Sequence, residues 1–226
     1  MTASWTDPGY AGAWARHDSQ RELLTLPRLI ATQVIADDRP DVALVVDIGS
    51  GPGDFLAVAL DRFPAARGLW TDISPEMQTI AAQHLARFGD RVEYRLTDMT
   101  DIGRHLPGNA DAIISSRVIH HLDAAGVAAL YRTAAEHLAP GGWLVNLDHT
   151  ALVPEWDGRA RRARKQLIPR TGPTQSHRAE HGTLPTIADH LSALSSAGLA
   201  DVDVPWRAFV TCLFMARKGG PDASGG

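Results

Sequence analysis

The sequence predicts an α/β domain with a mostly parallel sheet and helices on both of its faces. Short runs rich in β-branched residues alternate with segments of helical periodicity from residue 42 to residue 147, a pattern typical of parallel sheets with helical crossovers. A glycine-rich turn over residues 49–53 directly follows the first run. Only residues 205–208 separate the last two predicted strands. A parallel crossover needs a longer connection, so these two strands are expected to pair antiparallel.

The predicted elements follow in a regular order along the chain. Apolar residues at helical spacing predict a first helix over residues 21–36, and residues 42–49 read as a buried strand that ends in glycine. Pro75 stands where a first-turn proline belongs, with Ser74 as the N-cap. Further helices are predicted over residues 54–63, 75–88, 124–138 and 185–197. Further strands are predicted over residues 68–71, 91–96, 111–115, 142–147, 201–204 and 209–216.

Composition limits the class of protein. A length of 226 residues suits one domain, which we predict over residues 1–218 with a disordered tail at residues 219–226. A net charge of −4 does not favour nucleic-acid binding, and no apolar run is long enough for a membrane span. The single cysteine, Cys212, excludes an intrachain disulfide. With no visible secretory signal, these features predict a cytoplasmic protein, either a monomer or a homodimer.

The sharpest local motif is the glycine turn, which reads Asp47-Ile-Gly49-Ser-Gly51-Pro-Gly53. Glycine lets the backbone turn tightly and approach a ligand, and the following helix offers free N–H groups. Dinucleotide enzymes space their glycines G-x-G-x-x-G to receive pyrophosphate, whereas this spacing is G-x-G-x-G behind an acid. An acid there suits a cationic amine better than a pyrophosphate. A tight strand–helix turn without a ligand is the alternative interpretation.

The segment VVDIGSGPGDF resembles the first motif of the Rossmann-like, class I S-adenosylmethionine-dependent methyltransferases of the small-molecule type. The resemblance runs over about residues 40–217 and includes IISSRVIHHL after the fourth strand and LAPGGWLVNLDH at the fifth. Asp72 matches the acid that holds the ribose hydroxyls in that family, and Asp98 the acid that meets the adenine amino group, with Met99 on the ring. The resemblance implies the strand order 3-2-1-4-5-7-6 and S-adenosylmethionine as cofactor, with S-adenosylhomocysteine as product.

The resemblance also implies a set of cofactor-binding residues. An aspartate at a strand end is often only a turn or cap residue, but the order of these acids behind one glycine loop favours a site. The implied residues are Asp47, Gly49, Ser50, Gly51, Gly53, Asp72, Ile73, Asp98, Met99, Ser115 and Arg117.

Methyl transfer from a sulfonium is an in-line displacement, so the protein must align the reactants and remove the acceptor's proton where needed. The candidate catalytic residues are His120 and His121, after the fourth strand, and His149, after the fifth. Each of them has a purely structural alternative, as a cap or packed residue. Cys212 lies in the last strand, which argues against the cysteine mechanism of cytosine C5 methylation. Residues 115–118 lack the Asn/Asp-Pro-Pro-aromatic motif of adenine and glutamine methyltransferases.

Two segments are predicted to cover the acceptor: an N-terminal helical lid over residues 1–38 and an inserted lid over residues 150–183. Residues 151–181 hold seven basic residues against three acidic ones, which suits an anionic acceptor; a solvated helix face is the alternative. His177 and His181 fit the H-x-x-E-H zinc signature without a clear helix, so they are predicted as loop residues with no metal; a metal site of another kind is the alternative interpretation. The candidate substrate residues are Tyr10, Trp14, Arg159, Arg162, His177 and His181.

The main functional hypothesis is transfer of a methyl group to O, N or C of a small molecule, with secondary metabolism as one setting. A second is an S-adenosylmethionine-binding fold that does not methylate, such as a cyclase or rearrangement catalyst. A non-catalytic sensor or scaffold is a third. A nicotinamide dehydrogenase is disfavoured by the glycine spacing.

Overall fold

A computed structural model describes Gly9, residues 23–167 and residues 184–220 of the chain. These residues contain a seven-stranded sheet of order β3-β2-β1-β4-β5-β7-β6, which confirms the predicted fold class. The strands are β1 (Leu44–Ile48), β2 (Arg67–Asp72), β3 (Val92–Leu96), β4 (Ala110–Ser116), β5 (Leu138–His149), β6 (Leu199–Ala208) and β7 (Thr211–Lys218).

The first five strands run parallel to one another. β1 lies between β2 and β4, β2 pairs on its other side with β3, and β4 pairs with β5. β7 runs antiparallel to both β5 and β6, as the short connection before it predicts. The carboxyl ends of the parallel strands therefore share one edge of the sheet, where ligands of open α/β folds bind.

Helices pack on both faces of this sheet. They are α1 (Thr25–Asp38), α2 (Asp54–Arg62), α3 (Pro75–His84), α4 (Ala124–His137), α5 (Pro154–Leu167) and α6 (Ile187–Ser196). One core cluster joins α1, α2 and α3 to the sheet, and a second joins α4 and α6 to the opposite face. α5 is the exception, because it buries none of its residues.

Local capping explains where three helices begin. The Ser74 hydroxyl accepts from the backbone N–H of Met77 at 3.3 Å, with Pro75 next to it, as the sequence predicts. Asp123 caps α4 in the same way, through the N–H of Gly126 at 2.8 Å. α6 begins at a capping box, in which Thr186 bonds reciprocally with the third helical residue.

Several boundaries differ from the predicted ones. The helix predicted over residues 75–88 ends at His84 and continues as a 3-10 turn, Ala86–Arg91, which contains Gly89 at φ +54°. β5 begins at Leu138 rather than at residue 142, and its pairing with β4 shifts register between Ala110 and Ala112 of β4. β6 is longer than predicted at both ends, β7 has the predicted length but begins two residues later, and the two strands are joined by a turn at residues 209–210.

The described helices have at most 14 residues. None of them is long and apolar enough to span a bilayer.

A small polar network is buried between α4, β5 and α6. The Tyr131 hydroxyl lies 2.7 Å from Nδ1 of His190 and accepts from Nδ2 of Asn146 at 2.8 Å. The Tyr131 hydroxyl and Nδ1 of His190 share one proton in this contact, and the direction of the bond depends on the tautomer of His190. His190 is fully buried and stacks on Phe214, with ring centroids 4.5 Å apart. Burial lowers the pKa of His190, although the charges of Asp148 and Asp189 oppose the shift.

This network predicts acid sensitivity. The pKa of His190 is lower in the folded chain than in the unfolded one, so the unfolded chain binds the extra proton and stability falls as pH drops below about 6.5. A His190→Gln variant keeps an acceptor for Tyr131 but does not titrate. The free energy of unfolding by urea should fall more steeply in wild type than in this variant between pH 6.5 and 5, by up to about 1.4 kcal/mol per pH unit. Parallel profiles for the two proteins would contradict the assignment.

Candidate active site

A cavity opens at the edge of the sheet where β1, β2, β3 and β4 end. Its wall includes most of the residues that the sequence assigns to a cofactor: Gly49, Ser50, Gly51, Asp72, Ile73, Asp98, Met99 and Arg117. They come from four separate turns, and the parallel sheet brings them together.

The other three residues of that predicted set do not line the cavity. Asp47 is buried, and its Oδ2 accepts from the Ser50 hydroxyl at 2.6 Å. Burial raises the pKa of Asp47 to about 7, although the Ser50 bond and the Arg28 charge lower it. Gly53 is the N-cap of α2. Ser115 donates its hydroxyl to the carbonyl of Ile48 at 2.9 Å and joins β4 to β1. These three residues therefore stabilise the glycine loop and the strands next to it.

The glycine loop is held tightly in an unusual backbone conformation. Gly49, Gly51 and Gly53 have φ of +62°, +54° and +84°, values that favour glycine. The indole N–H of Trp70 donates to the Gly51 carbonyl at 2.9 Å. A Cβ on Gly49 would lie 2.6 Å from Val118, whereas around a Cβ on Gly51 no heavy atom of the described residues comes within 4 Å. Gly49 is thus required for packing, and Gly51 leaves open space for a ligand.

Two aspartates face the cavity from adjacent strand ends. Asp72 accepts the backbone N–H of Gly51 at Oδ2 and that of Ser74 at Oδ1, both at 2.9 Å. Burial raises the pKa of Asp72, although these N–H groups oppose the shift. Asp98 Oδ1 accepts both the N–H and the hydroxyl of Thr100 at 2.9 Å. A carboxylate oxygen has more than one acceptor position, so both acids keep capacity for ligand hydroxyl or amino groups.

A histidine–aspartate pair lies next to this cavity. Nδ1 of His120 is 2.6 Å from Oδ1 of Asp148, and Oδ2 of Asp148 accepts the backbone N–H of His120 at 2.9 Å. The Asp148 side chain is 0% exposed and that of His120 is 18% exposed. Burial alone would raise the pKa of Asp148, but the charge and bond of His120 hold it well below its usual range. An ionised Asp148 fixes Nδ1 as the donor and leaves Nε2 of His120 for proton transfer.

The three predicted catalytic histidines occupy different environments. His121 is on the cavity wall, and its ring centroid lies 4.3 Å from that of His120. The ring of His149 lies 5.2 Å from His120 on the other side. Nδ1 of His149 is 3.0 Å from the Thr211 hydroxyl, and burial, with the charge of His120, lowers the pKa of His149 to about 3. His149 is therefore a weak base, whereas the ring of His120 has a carboxylate on Nδ1.

Arg117 directly follows β4 and precedes the turn that contains His120 and His121. It has φ of +59°, a region that non-glycine residues rarely adopt, and its N–H donates to the Leu147 carbonyl at 3.0 Å. Strained backbone of this kind clusters at functional sites. The neighbouring Ser116 hydroxyl is buried, and the described part of the chain offers it no hydrogen-bond partner.

Of the predicted substrate residues, the structure describes Arg159 and Arg162, and neither of these two lines the cavity. Arg159 and Arg162 are exposed on α5, where the guanidinium of Arg159 lies 5.8 Å from the ring of Trp156. Tyr10, Trp14, His177 and His181 lie outside the described residues, as does much of both predicted lids.

Sequence reasoning missed two charged residues of this region. Asp148 is adjacent to His149 in the sequence, but its partner is 28 positions away. Arg28 lines the cavity from α1. The sequence could have identified Arg28, because it lies on the same helix face as the buried Leu24, Ala31 and Ile35. A charged residue on an apolar helix face is unusual and indicates a specific role.

Comparisons with known proteins point to one class of enzyme. Residues 46–144 match a family model described as a methyltransferase domain. Over 131 residues the chain is 29% identical to a ubiquinone biosynthesis O-methyltransferase of Xanthomonas axonopodis pv. citri. The alignment covers 58% of this chain and 53% of that protein. The chain thus spans about half the length of the curated relatives it matches.

Solved structures share the fold. An O-methyltransferase family protein from Burkholderia thailandensis superposes with a TM-score of 0.65 at 22% identity, covering 85% of this chain and 56% of that one. Human N-acetylserotonin methyltransferase, in complex with S-adenosylmethionine, superposes with a TM-score of 0.66 at 21% identity. The superposition covers 96% of this chain and 58% of that one.

Proposed function

We propose that this chain, which carries a methyltransferase domain of the Rossmann-like class, binds S-adenosylmethionine and transfers its methyl group to a small-molecule acceptor. The observation that carries the proposal is the cavity, where the glycine loop, Asp72 and Asp98 meet beside the His120–Asp148 pair. Similarity to methyltransferases in sequence and fold supports it.

The cavity residues fit this cofactor. Gly51 leaves space for a ligand against the loop, and the two acids offer acceptors for a ribose and for an adenine amino group. Ser116 offers a buried hydroxyl. When bound, S-adenosylmethionine supplies an electrophilic methyl group on a positively charged sulfur, so the chain needs no nucleophile of its own. Cys212 is buried in β7, and burial raises its pKa.

The His120–Asp148 pair favours an acceptor that must lose a proton, such as a hydroxyl group. Asp148 holds the His120 ring by Nδ1, so Nε2 can take the acceptor's proton while the buried carboxylate stabilises the resulting imidazolium. His121 lines the cavity and its ring centroid lies 4.3 Å from that of His120, so the pair lies next to the proposed cofactor site. We infer that hydroxyl methylation is the main activity of this site, with N and C acceptors less suited to it.

Positive charge near the acceptor end supports an anionic acceptor. Arg117 and Arg164 both contribute charges that lower the pKa of His149, and Arg117 also lines the cavity. The two lids, residues 1–38 and 150–183, would select this acceptor. A small phenolic or hydroxylated acid, as made in secondary metabolism, has the required chemistry.

The unpaired cysteine supports a reducing compartment, so we place the protein in the cytoplasm. We propose that it acts as a monomer or a homodimer.

Transfer of isotope from methyl-labelled S-adenosylmethionine tests the function. Wild type is incubated with the labelled cofactor and a panel of phenols, hydroxylated acids and amines, and products are analysed by mass spectrometry. We expect labelled products from hydroxylated members and equimolar S-adenosylhomocysteine. Converted acceptor without label would instead establish a cyclase or rearrangement catalyst, and binding without any conversion would establish a sensor.

A further inference from the structure

One histidine next to the His120–Asp148 pair has no role in the proton transfer described above. His149 is the last residue of β5, and its ring centroid lies 5.2 Å from that of His120. Burial, with the charge of His120, lowers the pKa of His149 to about 3. When His120 takes up a proton, His149 therefore stays uncharged and does not compete for it. An uncharged imidazole in this place is suited to a hydrogen bond.

The ring of His149 is held from the side of the sheet. Its Nδ1 lies 3.0 Å from the hydroxyl of Thr211, which is buried at the start of β7. His149 and Thr211 are already register partners in the antiparallel pairing of β5 with β7, so this bond is not needed to join the two strands. Its effect is to fix the ring and to leave Nε2 for another partner.

The ring of His120 is held in the same manner, through the bond of its Nδ1 to Asp148. Within the described part of the chain, neither Nε2 of His120 nor Nε2 of His149 has a hydrogen-bond partner. Neither ring is fully buried, since the side chain of His120 is 18% exposed and His149 is half-buried. Two neighbouring imidazoles thus each leave one nitrogen for a ligand.

The spacing of the two rings indicates the kind of ligand. From rings whose centroids are 5.2 Å apart, two hydrogen bonds of about 2.8 Å can reach two oxygen atoms that are close neighbours in one molecule. Oxygens on adjacent carbon atoms meet this requirement, whereas a single hydroxyl satisfies only one ring. A hydroxyl is the most suitable second group, because it can donate or accept and so matches either tautomer of His149.

We propose that His149 binds a second hydroxyl of the acceptor, next to the one that is methylated, so that the acceptor is a vicinal dihydroxy compound; the proposal rests on the function given above. The reacting hydroxyl gives its proton to Nε2 of His120 and its oxygen takes the methyl group, whose bond to sulfur breaks and leaves the electron pair on sulfur. The second hydroxyl keeps its proton. His149 does not line the cofactor cavity, which favours a contact with the acceptor. The alternative is that His149 only packs between His120 and Thr211.

Three acids that differ only in their hydroxyl groups distinguish these roles. The two hydroxyls are adjacent in 3,4-dihydroxybenzoate and apart in 3,5-dihydroxybenzoate, and 4-hydroxybenzoate has one. Their dissociation constants are measured by calorimetry on protein saturated with S-adenosylhomocysteine, and kcat/KM is measured with S-adenosylmethionine.

Two variants separate the nitrogens of His149. His149→Asn keeps an amide near the position of Nδ1 for Thr211 but does not reach the position of Nε2, whereas the longer side chain of His149→Gln does. The matched control is His137→Asn, which removes a histidine at the end of α4, directly before β5 begins and so at the opposite edge of the sheet.

Wild type should bind and methylate 3,4-dihydroxybenzoate about tenfold better than the other two acids, or more. His149→Asn should remove this preference, with a loss of about 10- to 100-fold on 3,4-dihydroxybenzoate and of less than about twofold on 4-hydroxybenzoate. His149→Gln should restore part of the preference, and His137→Asn should match wild type. Equal losses on all three acids, or a wild type without the preference, would overturn the proposal.

Failure of this proposal differs from failure of the proposed function. If wild type does not bind S-adenosylhomocysteine, or methylates no member of the panel of phenols, hydroxylated acids and amines, the proposed function itself is wrong. If that function holds but 3,4-dihydroxybenzoate is neither bound nor methylated, the second-hydroxyl site is wrong. If His149→Asn does not fold, His149→Gln and the wild-type preference still decide, because equal affinity for the three acids excludes a contact with a second hydroxyl.

Discussion

Asp148→Asn should lower the rate constant of methyl transfer by about 10²- to 10⁴-fold, the range typical of a lost general base. The carboxylate is fully buried, bonds Nδ1 of His120 at 2.6 Å and also receives the N–H groups of His120 and His149. An amide of the same size carries no charge to stabilise the imidazolium. It can also present its NH₂ group to Nδ1, which would put the proton on Nε2 and block proton acceptance there.

The measurement is single-turnover formation of methylated product with the hydroxylated acceptor that wild type converts fastest. His120→Gln should show a comparable loss, and the double variant little more, because the two residues act as one unit. The loss should shrink for acceptors that ionise more easily. Asp123→Asn is the matched control, since asparagine caps a helix as well as aspartate. A variant at position 148 that retains the wild-type rate on a weakly acidic acceptor would exclude this pair as the base.

Asp72→Ala should weaken S-adenosylhomocysteine binding by about 100-fold or more. The carboxylate lines the cavity and already holds the N–H groups of Gly51 and Ser74 at 2.9 Å. The variant loses the acceptors for the ligand and also leaves both N–H groups unpaired, and each charge-assisted bond is worth about 1.5–3 kcal/mol.

Calorimetric titration measures this effect. Asp72→Asn, which keeps one carbonyl oxygen, should lose less affinity than Asp72→Ala. The control is Asp61→Ala, which removes a surface acid of α2 that pairs with Arg87 and should leave binding unchanged. Similar affinities for wild type and Asp72→Ala would place the ligand elsewhere.

Most of the fold was predictable because its signals are local. The alternation of strands and helices, the first-turn proline at Pro75 and the connection before β7 each depend on a few neighbouring residues. The boundaries of β6 were harder, because this edge strand is largely exposed and carries no apolar run, and only its pairing with β7 defines its length. The turn at Gly141 also resembled a loop, but the pairing of β5 with β4 continues on both sides of it.

The candidate site was predictable where one loop or strand end carries the chemistry. Gly49, Gly51, Asp72 and Asp98 each stand in a local motif, and the structure places all four on the cavity wall. The Asp148 partner of His120 was not predictable, because it depends on how β4 and β5 align.

Arg28 was not recognised for a related reason. The sequence places it on a buried helix face, but only the packing of α1 against α2 brings it to the cavity.

Titration of wild type with S-adenosylmethionine, in the presence and absence of S-adenosylhomocysteine and of NAD, tests the central claim most directly. We expect saturable binding of one S-adenosylmethionine per chain, competition by S-adenosylhomocysteine and none by NAD. No saturable binding of S-adenosylmethionine, or its displacement by NAD, would contradict the assignment of this cavity to S-adenosylmethionine.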